Sequence, residues 1–483
     1  MYRKLVFELS REGREGHPLP ETDVPEQTLN ALLPDHLLRE QAADLPQLAE
    51  NEVVRHFVQL SDLNHHVDKS FYPLGSCTMK YNPKINEQVA ALPGFARLHP
   101  DQPEEQAQGA LQLMYELQEM LLEITGFTGI TLQPAAGAHG ELTGMLLIQQ
   151  YHRMKGRNRS VILVPDSAHG TNPASAHIAG FQVRSVQSTA EGLVDLNDLR
   201  AKTTDDVAGI MLTNPSTLGI FETQLKEIRA IMDEVDALMY MDGANMNALF
   251  GIVRPADTGF DLMHLNLHKS FSTPHGGGGP GSGPVAVNDK LTEYLPIPVV
   301  VKDGDVYRLN YDLPNSIGKV QSFYGNFAIF VRAYTYLRIL GKKGLPQVTR
   351  HALINANYLR TKLKDVYKIP FTGATMHEFV LSAENQKKRG AKALDIAKRL
   401  LDYGVHPPTI YFPLIVKEAM MIEPTESESK EMLDRFVEIM LQIDKEIDEN
   451  LEVVTSAPHS TPVRRLDEVG AVKNLNINFY NKK

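Results

Sequence analysis

Between residues 104 and 287 the apolar positions switch repeatedly between two spacings. Ser160-Val-Ile-Leu-Val164, Val207-Ala-Gly-Ile-Met-Leu-Thr213 and Ala237-Leu-Met-Tyr-Met241 are short continuous runs bounded by turn residues, which predicts buried strands. Phe181 to Val186 is also strand-like, as are Pro284-Val-Ala-Val287 and a short run carrying Leu262, Leu265 and Leu267. Elsewhere the spacing is helical. Leu111, Met114, Leu117, Leu121 and Ile124 predict a helix from about 104 to 124, ended by Gly126. Further helices are predicted from the Gln133–Gly140 turn to about Met154, and from about Glu222 to Val235. Strand and helix in alternation predict an α/β fold with a mostly parallel sheet covered on both faces.

The flanks read differently. Residues 1–65 are rich in Pro, Glu and Asp with only short helical patches, the pattern of an extended arm that cannot bury much apolar area alone. Two helices are predicted between about Phe323 and Tyr367, leading to a smaller C-terminal domain. There Phe371-Thr-Gly, His377–Leu381 and Leu414-Ile-Val416 are strand candidates, and helices are predicted at Ala391–Tyr403 and Ser427 to about Asn450. The tail from Thr455 is loop-like. The expected parts are the arm (1–65), a large domain (66–335) and a small domain with its tail (336–483).

Composition narrows the function. The net charge of −10, without a basic stripe, argues against a nucleic-acid surface. A single cysteine, Cys77, excludes an intrachain disulfide. No signal-like start and no span-length apolar stretch predict a cytoplasmic protein with no membrane segment. Metal-ligand spacing is missing: there is no Cys pair and no H-E-x-x-H.

The chemistry gathers in loops that follow predicted strands, where α/β sheets place their functional groups. Lys269 stands at the exit of the 262–267 run, where partial desolvation favours a neutral amine able to hold an aldehyde as a Schiff base; the alternative is a surface lysine. Ala135-Ala-Gly-Ala-His139 opens a helix whose backbone N–H groups suit a phosphate, or is a tight turn that needed glycine. Asp242 ends an apolar run, where a carboxylate needs a cation such as a protonated pyridine nitrogen, or caps its own turn. His169 could stack on a flat ring, act as acid or base, or be a hydrogen-bonded loop residue. The glycine run Gly276–Gly283 contains a formal G-x-G-x-x-G, but a strand follows it instead of a helix. That excludes the dinucleotide reading and implies backbone passing close to something.

Longer strings carry more. Tyr72-Pro-Leu-Gly-Ser-Cys-Thr-Met-Lys80, Ser167-Ala-His-Gly-Thr-Asn-Pro-Ala-Ser-Ala-His177, Asp242-Gly-Ala-Asn-Met-Asn247, His264-Leu-Asn-Leu-His-Lys269 and Glu423-Pro-Thr-Glu-Ser-Glu428 together resemble the pyridoxal-phosphate half of the glycine cleavage system P-protein family. The resemblance implies a fold-type-I enzyme dependent on pyridoxal 5'-phosphate. In it Lys269 carries the cofactor aldehyde as an imine, Asp242 pairs with the ring nitrogen and His169 stacks on the ring. Ala136, Gly137 and His268 would contact the phosphate, with Thr217 beside the cofactor. The implied reaction is decarboxylation of glycine with transfer of the aminomethyl group to the lipoyl arm of the H-protein. Because the family's single-chain form is about twice as long, the resemblance is to the catalytic subunit of a split form. It implies a separate homologous subunit 1, with two copies of each in a heterotetramer. Other fold-type-I activities, an aminotransferase or a cysteine desulfurase, are alternatives, and a cofactor-free scaffold subunit is a third, disfavoured because Lys269, Asp242 and His169 are all present. Arg97 and Arg308 are candidates for the glycine carboxylate.

Overall fold

Seven strands form one sheet in the order β1–β7–β6–β5–β4–β2–β3: β1 (Gly129–Thr131), β2 (Val161–Pro165), β3 (Gln182–Val186), β4 (Val207–Thr213), β5 (Leu238–Gly243), β6 (Leu262–Leu265) and β7 (Val285–Val287). In this computed structural model, which describes residues 4–41, 43–276 and 279–478, β3, β2, β4, β5 and β6 run parallel. β7 enters antiparallel between β6 and β1. Gly277 and Gly278 of the glycine run and the last five residues of the tail lie outside the described residues.

Side-chain alternation splits each buried strand between two cores. Val161, Leu163, Met239 and Met241 face one core, shared with Leu117 and Leu121 of the helix Gln108–Thr125. Ile162, Val164, Leu238 and Tyr240 face the other, shared with Met145, Leu147 and Ile148 of the helix Gly137–Met154. Both faces are apolar, which is why these strands read as continuous runs rather than alternating ones. A hairpin of β8 (Val299–Asp303) and β9 (Val306–Asn310), which the sequence pattern does not single out, packs beside the Gln108–Thr125 helix.

The helical stretch Phe327–Leu363 breaks at Gly341, whose left-handed φ of 57° separates two helices. Beyond it lies a three-stranded antiparallel sheet of β10 (Phe379–Ser382), β11 (Thr409–Ile410) and β12 (Ala419–Ile422). It is covered by the helices Ala393–Asp402 and Lys430–Glu449 around Leu400, Phe436 and Met440. Two predicted strands are corrected here. Phe371–Gly373 is irregular, and Leu414–Val416 is a turn following Pro413, with Leu414 84% exposed and Val416 turned inward. Leu267 also falls beyond its strand: β6 ends at Leu265, and the Leu267 N–H donates to Ser282 O (3.1 Å).

The chain divides into two compact units, Val67–His459, which holds all of the sheets above, and Met1–His66 with Ser460–Lys483. The second unit's longest helix is Glu50–Ser61, and within it Gln47 bonds Ser10 Oγ through its N–H (2.8 Å). No helix among the described residues is long and apolar enough to cross a membrane.

Candidate active site

A cavity of about 280 Å³ opens beyond the carboxyl ends of β4, β5 and β6. Its wall contains all seven residues singled out from the sequence: Lys269, Asp242, His169, Ala136, Gly137, Thr217 and His268. They come from five separate segments, brought together because parallel strands deliver their loops to one edge.

Lys269 sits in the turn after β6, its N–H donating to Asn266 O (3.2 Å). Its Nζ reaches across the cavity and donates to Ser76 O (2.8 Å) in the Tyr72–Lys80 loop. Asp242 is the fifth residue of β5 and only 4% exposed. Oδ1 accepts from Ala244 N–H (3.0 Å), Oδ2 from Thr213 Oγ1 (3.4 Å). Asp242 therefore caps its own turn and also lies in the cavity wall. Burial opposes its ionisation, but His264, Ala244 N–H, Lys269 and His169 outweigh that and hold its carboxyl below the ordinary range.

Behind Asp242 lies a buried histidine–tyrosine pair that the sequence did not suggest. His264 Nε2 is 3.4 Å from Asp242 Oδ1, and its Nδ1 is 2.7 Å from the Tyr240 hydroxyl. Burial lowers the pKa of His264 despite Asp242, so the ring is neutral. Tyr240 and Nδ1 share one hydrogen bond, while Nε2 is buried beside Asp242 without a hydrogen-bond partner. β5 and β6 pair Asp242 with His264 in register, which is what sets this contact.

His169 lies in the loop after β2, with Nδ1 2.8 Å from Thr171 Oγ1 and accepting from Thr171 N–H (3.2 Å). Thr171 Oγ1 in turn contacts Glu141 Oε1 (2.8 Å), and Ser175 Oγ donates to Glu141 Oε2 (2.9 Å). Burial lowers the pKa of His169, and Phe412 meets its ring edge-on at 5.4 Å. Glu141 is pushed up to about 7 by burial and then by the charge of Asp242, against its two hydroxyl partners and Lys269. It is a second acid of the wall that sequence spacing gave no reason to choose.

The first turn of the Gly137–Met154 helix forms the opposite wall. Its N-cap, Ala136, supplies no side-chain cap, so the leading N–H groups are free to serve an anion. The glycine run explains itself here. A Cβ on Gly283 would sit 2.1 Å from Ala136 O, and one on Gly281 would sit 2.8 Å from Ala135 O. The two segments touch backbone to backbone, pinned by Gly283 N–H to Pro134 O (2.9 Å). Gly137 meets a side chain instead of backbone, with Asn266 Oδ1 2.6 Å from where its Cβ would be. His268 Nδ1 accepts from Ser282 N–H (3.2 Å), and burial drives its pKa down to about 4. Thr217 Oγ1 donates to Ser167 O (2.5 Å), which commits its proton within the wall.

Arg97 and Arg308 do not line the cavity; both are exposed, and Arg308 pairs with Asp303 (3.0 Å) on the β8–β9 hairpin. The residues that sequence reasoning passed over are Glu141, His264, Asn266, His377 and Glu378. Only their position beside the cavity distinguishes them from ordinary polar residues.

A family model described as glycine cleavage system P-protein matches residues 22–307, and one described as glycine dehydrogenase, C-terminal domain, matches 348–464. The chain is 61% identical over its whole length to a probable glycine dehydrogenase (decarboxylating) subunit 2 of Chloroherpeton thalassium, covering 99% of that protein. It is 59% identical to the protein of the same name from Halalkalibacterium halodurans, over 97% of this chain and 96% of that one. Among solved structures, an inhibitor-bound glycine decarboxylase (P-protein) of the glycine cleavage system superimposes with a TM-score of 0.73 at 21% identity, covering 86% of this chain and 95% of the other. A Lactobacillus brevis glutamate decarboxylase gives 0.63 at 14% identity, over 92% and 98%. At such identities these structures establish the fold, which is fold type I of the pyridoxal-phosphate-dependent enzymes.

Proposed function

The chain belongs to the glycine cleavage system P-protein family, and from that premise we propose that its cavity binds pyridoxal 5'-phosphate and works on glycine as subunit 2 of a split enzyme. Members so closely alike are glycine dehydrogenases (decarboxylating), and decarboxylation of glycine is the activity of this chain. The single observation that carries the cofactor reading is the company Lys269 keeps. An amine, a buried carboxylate and an uncapped helix start face one ligand-sized space.

The residues present fit the group. Lys269 Nζ is an amine for its aldehyde, and Asp242, kept ionised, is a counter-charge for its ring nitrogen. The first turn at Ala136 and Gly137, flanked by Gly281 and Gly283, suits its phosphate. Asn266 Oδ1 is buried without a hydrogen-bond partner, as an atom awaiting a ligand would be. When bound, the cofactor supplies an electron sink for the pair released as CO2 leaves.

Everything else falls to the chain. Asp242 keeps the far end of the site negative, and Ala244 N–H with Thr213 Oγ1 fixes the direction of that carboxylate. His169, neutral and braced by Thr171, offers a flat face. The Tyr72–Lys80 loop closes over Lys269 and limits the entry of water, which protects a basic carbon from protonation. The acceptor in this reading is the lipoyl disulfide of the H-protein, which receives the aminomethyl group. The partner is the homologous subunit 1, two copies of each chain forming the complex.

Borohydride reduction of the purified protein, followed by peptide mapping, tests the assignment. The expected product is a single pyridoxyl label on Lys269; a label on another lysine discards it.

A further inference from the structure

Glu378 and Glu423 are buried acids for which decarboxylation as described has no use. Glu378 immediately precedes β10 and Glu423 immediately follows β12. Those strands pair antiparallel with Phe379 opposite Ile422, so the sheet end sets the two carboxylates side by side. Glu378 is 4% exposed and Glu423 fully buried, and oxygens of both, with a ring nitrogen of His377, lie within 4.8 Å of one another. Glu378 also forms part of the cavity wall.

The two acids are not equivalent. Glu423 is supplied with donors: Thr78 Oγ1 (2.8 Å) and Asn245 Nδ2 (2.9 and 3.0 Å). Glu378 takes Ser76 N–H on Oε2 (2.7 Å), while Oε1 faces His377 Nε2 at 3.7 Å. His377 is buried, and neither of its ring nitrogens has a hydrogen-bond partner. Two carboxylates this close and out of water cannot both be charged, and donors favour the anion at Glu423. The proton therefore resides on Glu378. Burial and then the neighbouring Glu423 push Glu378 up to about 8, against Ser76 N–H and Lys269. Burial lifts Glu423 to about 7 against its donors. His377 is driven down to about 3 by burial and Lys269, so it stays neutral.

We infer that Glu378 is the acid that delivers a proton inside this cavity, with Glu423 keeping it protonated; this rests on the glycine reading above. The proton has a destination. As CO2 leaves, its bonding pair stays on the glycine α-carbon, which forms a bond to one sulfur of a cyclic disulfide. The S–S bond breaks, its electron pair passes to the second sulfur, and that sulfur takes up one proton. The disulfide gains the two electrons that the carbon gives up, so one proton enters per turnover. Glu378 gives that proton and recovers it from water. The charged and titratable groups around the pair are Lys269, which donates to Ser76 O (2.8 Å), Cys77 next to Ser76, His377, and Glu426 behind Glu423, held by Lys80 (2.7 Å).

The test uses the assembled holoenzyme with its partner subunit and lipoylated H-protein. Wild-type CO2 release should fall as pH rises past about 8, and Glu378→Gln should lower the rate by about 10²-fold or more and remove that alkaline limb. Glu378→Asp should keep the limb at a reduced rate. Infrared spectra without glycine should show a protonated-carboxyl band that titrates near pH 8, above those of Glu141 and Glu423 near 7, and that Glu378→Gln lacks; Glu423→Gln should make it titrate at lower pH. A wild-type rate with the limb intact in Glu378→Gln overturns the inference, as does a wild-type spectrum lacking the band. If Glu378→Gln fails to fold, the wild-type band and its shift in Glu423→Gln decide. Failure of the underlying reading looks different: the wild-type complex would release no CO2 from glycine.

Discussion

At the scale of single residues, Asp242 shows how a buried charge is kept. Its neighbours Ala244 N–H, Thr213 and His264 approach it from three directions, and β5–β6 pairing supplies the last. Asp242→Asn keeps the size and an acceptor for Ala244 N–H while removing the charge. Cofactor should remain bound, and glycine decarboxylation should fall by about 10²-fold, the scale of losing one preorganised electrostatic contact. Exchange of bicarbonate into glycine reads this directly, and a wild-type exchange rate would remove Asp242 from the role of ring counter-charge.

At the scale of elements, the cavity depends on two chain segments that meet without side chains between them. Gly281 and Gly283 let the strand-bound end of the glycine run lie against residues 135–137, where the helix begins. Gly283→Ala would drive a methyl group to 2.1 Å from Ala136 O, so backbone must move, and the helix start moves with it. Affinity for pyridoxal 5'-phosphate should drop by about tenfold or more, equivalent to about 1.4 kcal/mol. Gly94→Ala, with nothing within 4 Å of the added carbon, should not change it. Absorbance titration with the cofactor measures both, and an unchanged dissociation constant for Gly283→Ala would show that the contact is not what shapes the phosphate end.

At the scale of the whole molecule, stability should peak near neutral pH because two sets of buried groups oppose each other. His152 and His268 are lowered to about 4, and His275 and His377 to about 3, each chiefly by burial. Their contribution is intact above the unfolded value of 6.5 and is lost as pH falls towards the folded values, because only the unfolded chain then takes up the protons. Glu141, Glu378 and Glu423 behave oppositely. Their folded values of about 7 to 8 lie above 4.5, so their contribution is intact below 4.5 and is lost as pH rises through 7 to 8. Thermal unfolding across pH 4 to 9 should trace a dome, and Glu378→Gln should flatten its alkaline side. A melting temperature that climbs steadily up to pH 9 would contradict these shifts.

The sequence by itself determined the alternation of strands and helices, the parallel sheet and the seven residues that come to line one cavity. The elements carry local marks in their apolar runs and turn residues, and Lys269 and Asp242 stand out as an amine and a carboxylate after apolar runs. His268 and the roles of Ala136, Gly137 and Thr217 came from the family resemblance. What the sequence could not mark was pairing across the chain. Asp242 with His264, Gly283 with Ala136, and Glu378 with Glu423 are separated by up to 147 residues, and each pair exists only because of strand register or close backbone approach. Leu414–Val416, apolar enough for a strand, became a turn in which Leu414 faces solvent and Val416 packs into a small buried cluster with Leu218 and Ile220. Burial, which sets whether an acid holds its proton, is a property of the packed molecule, so Glu141 and Glu378, unlike Asp242, became visible only in three dimensions.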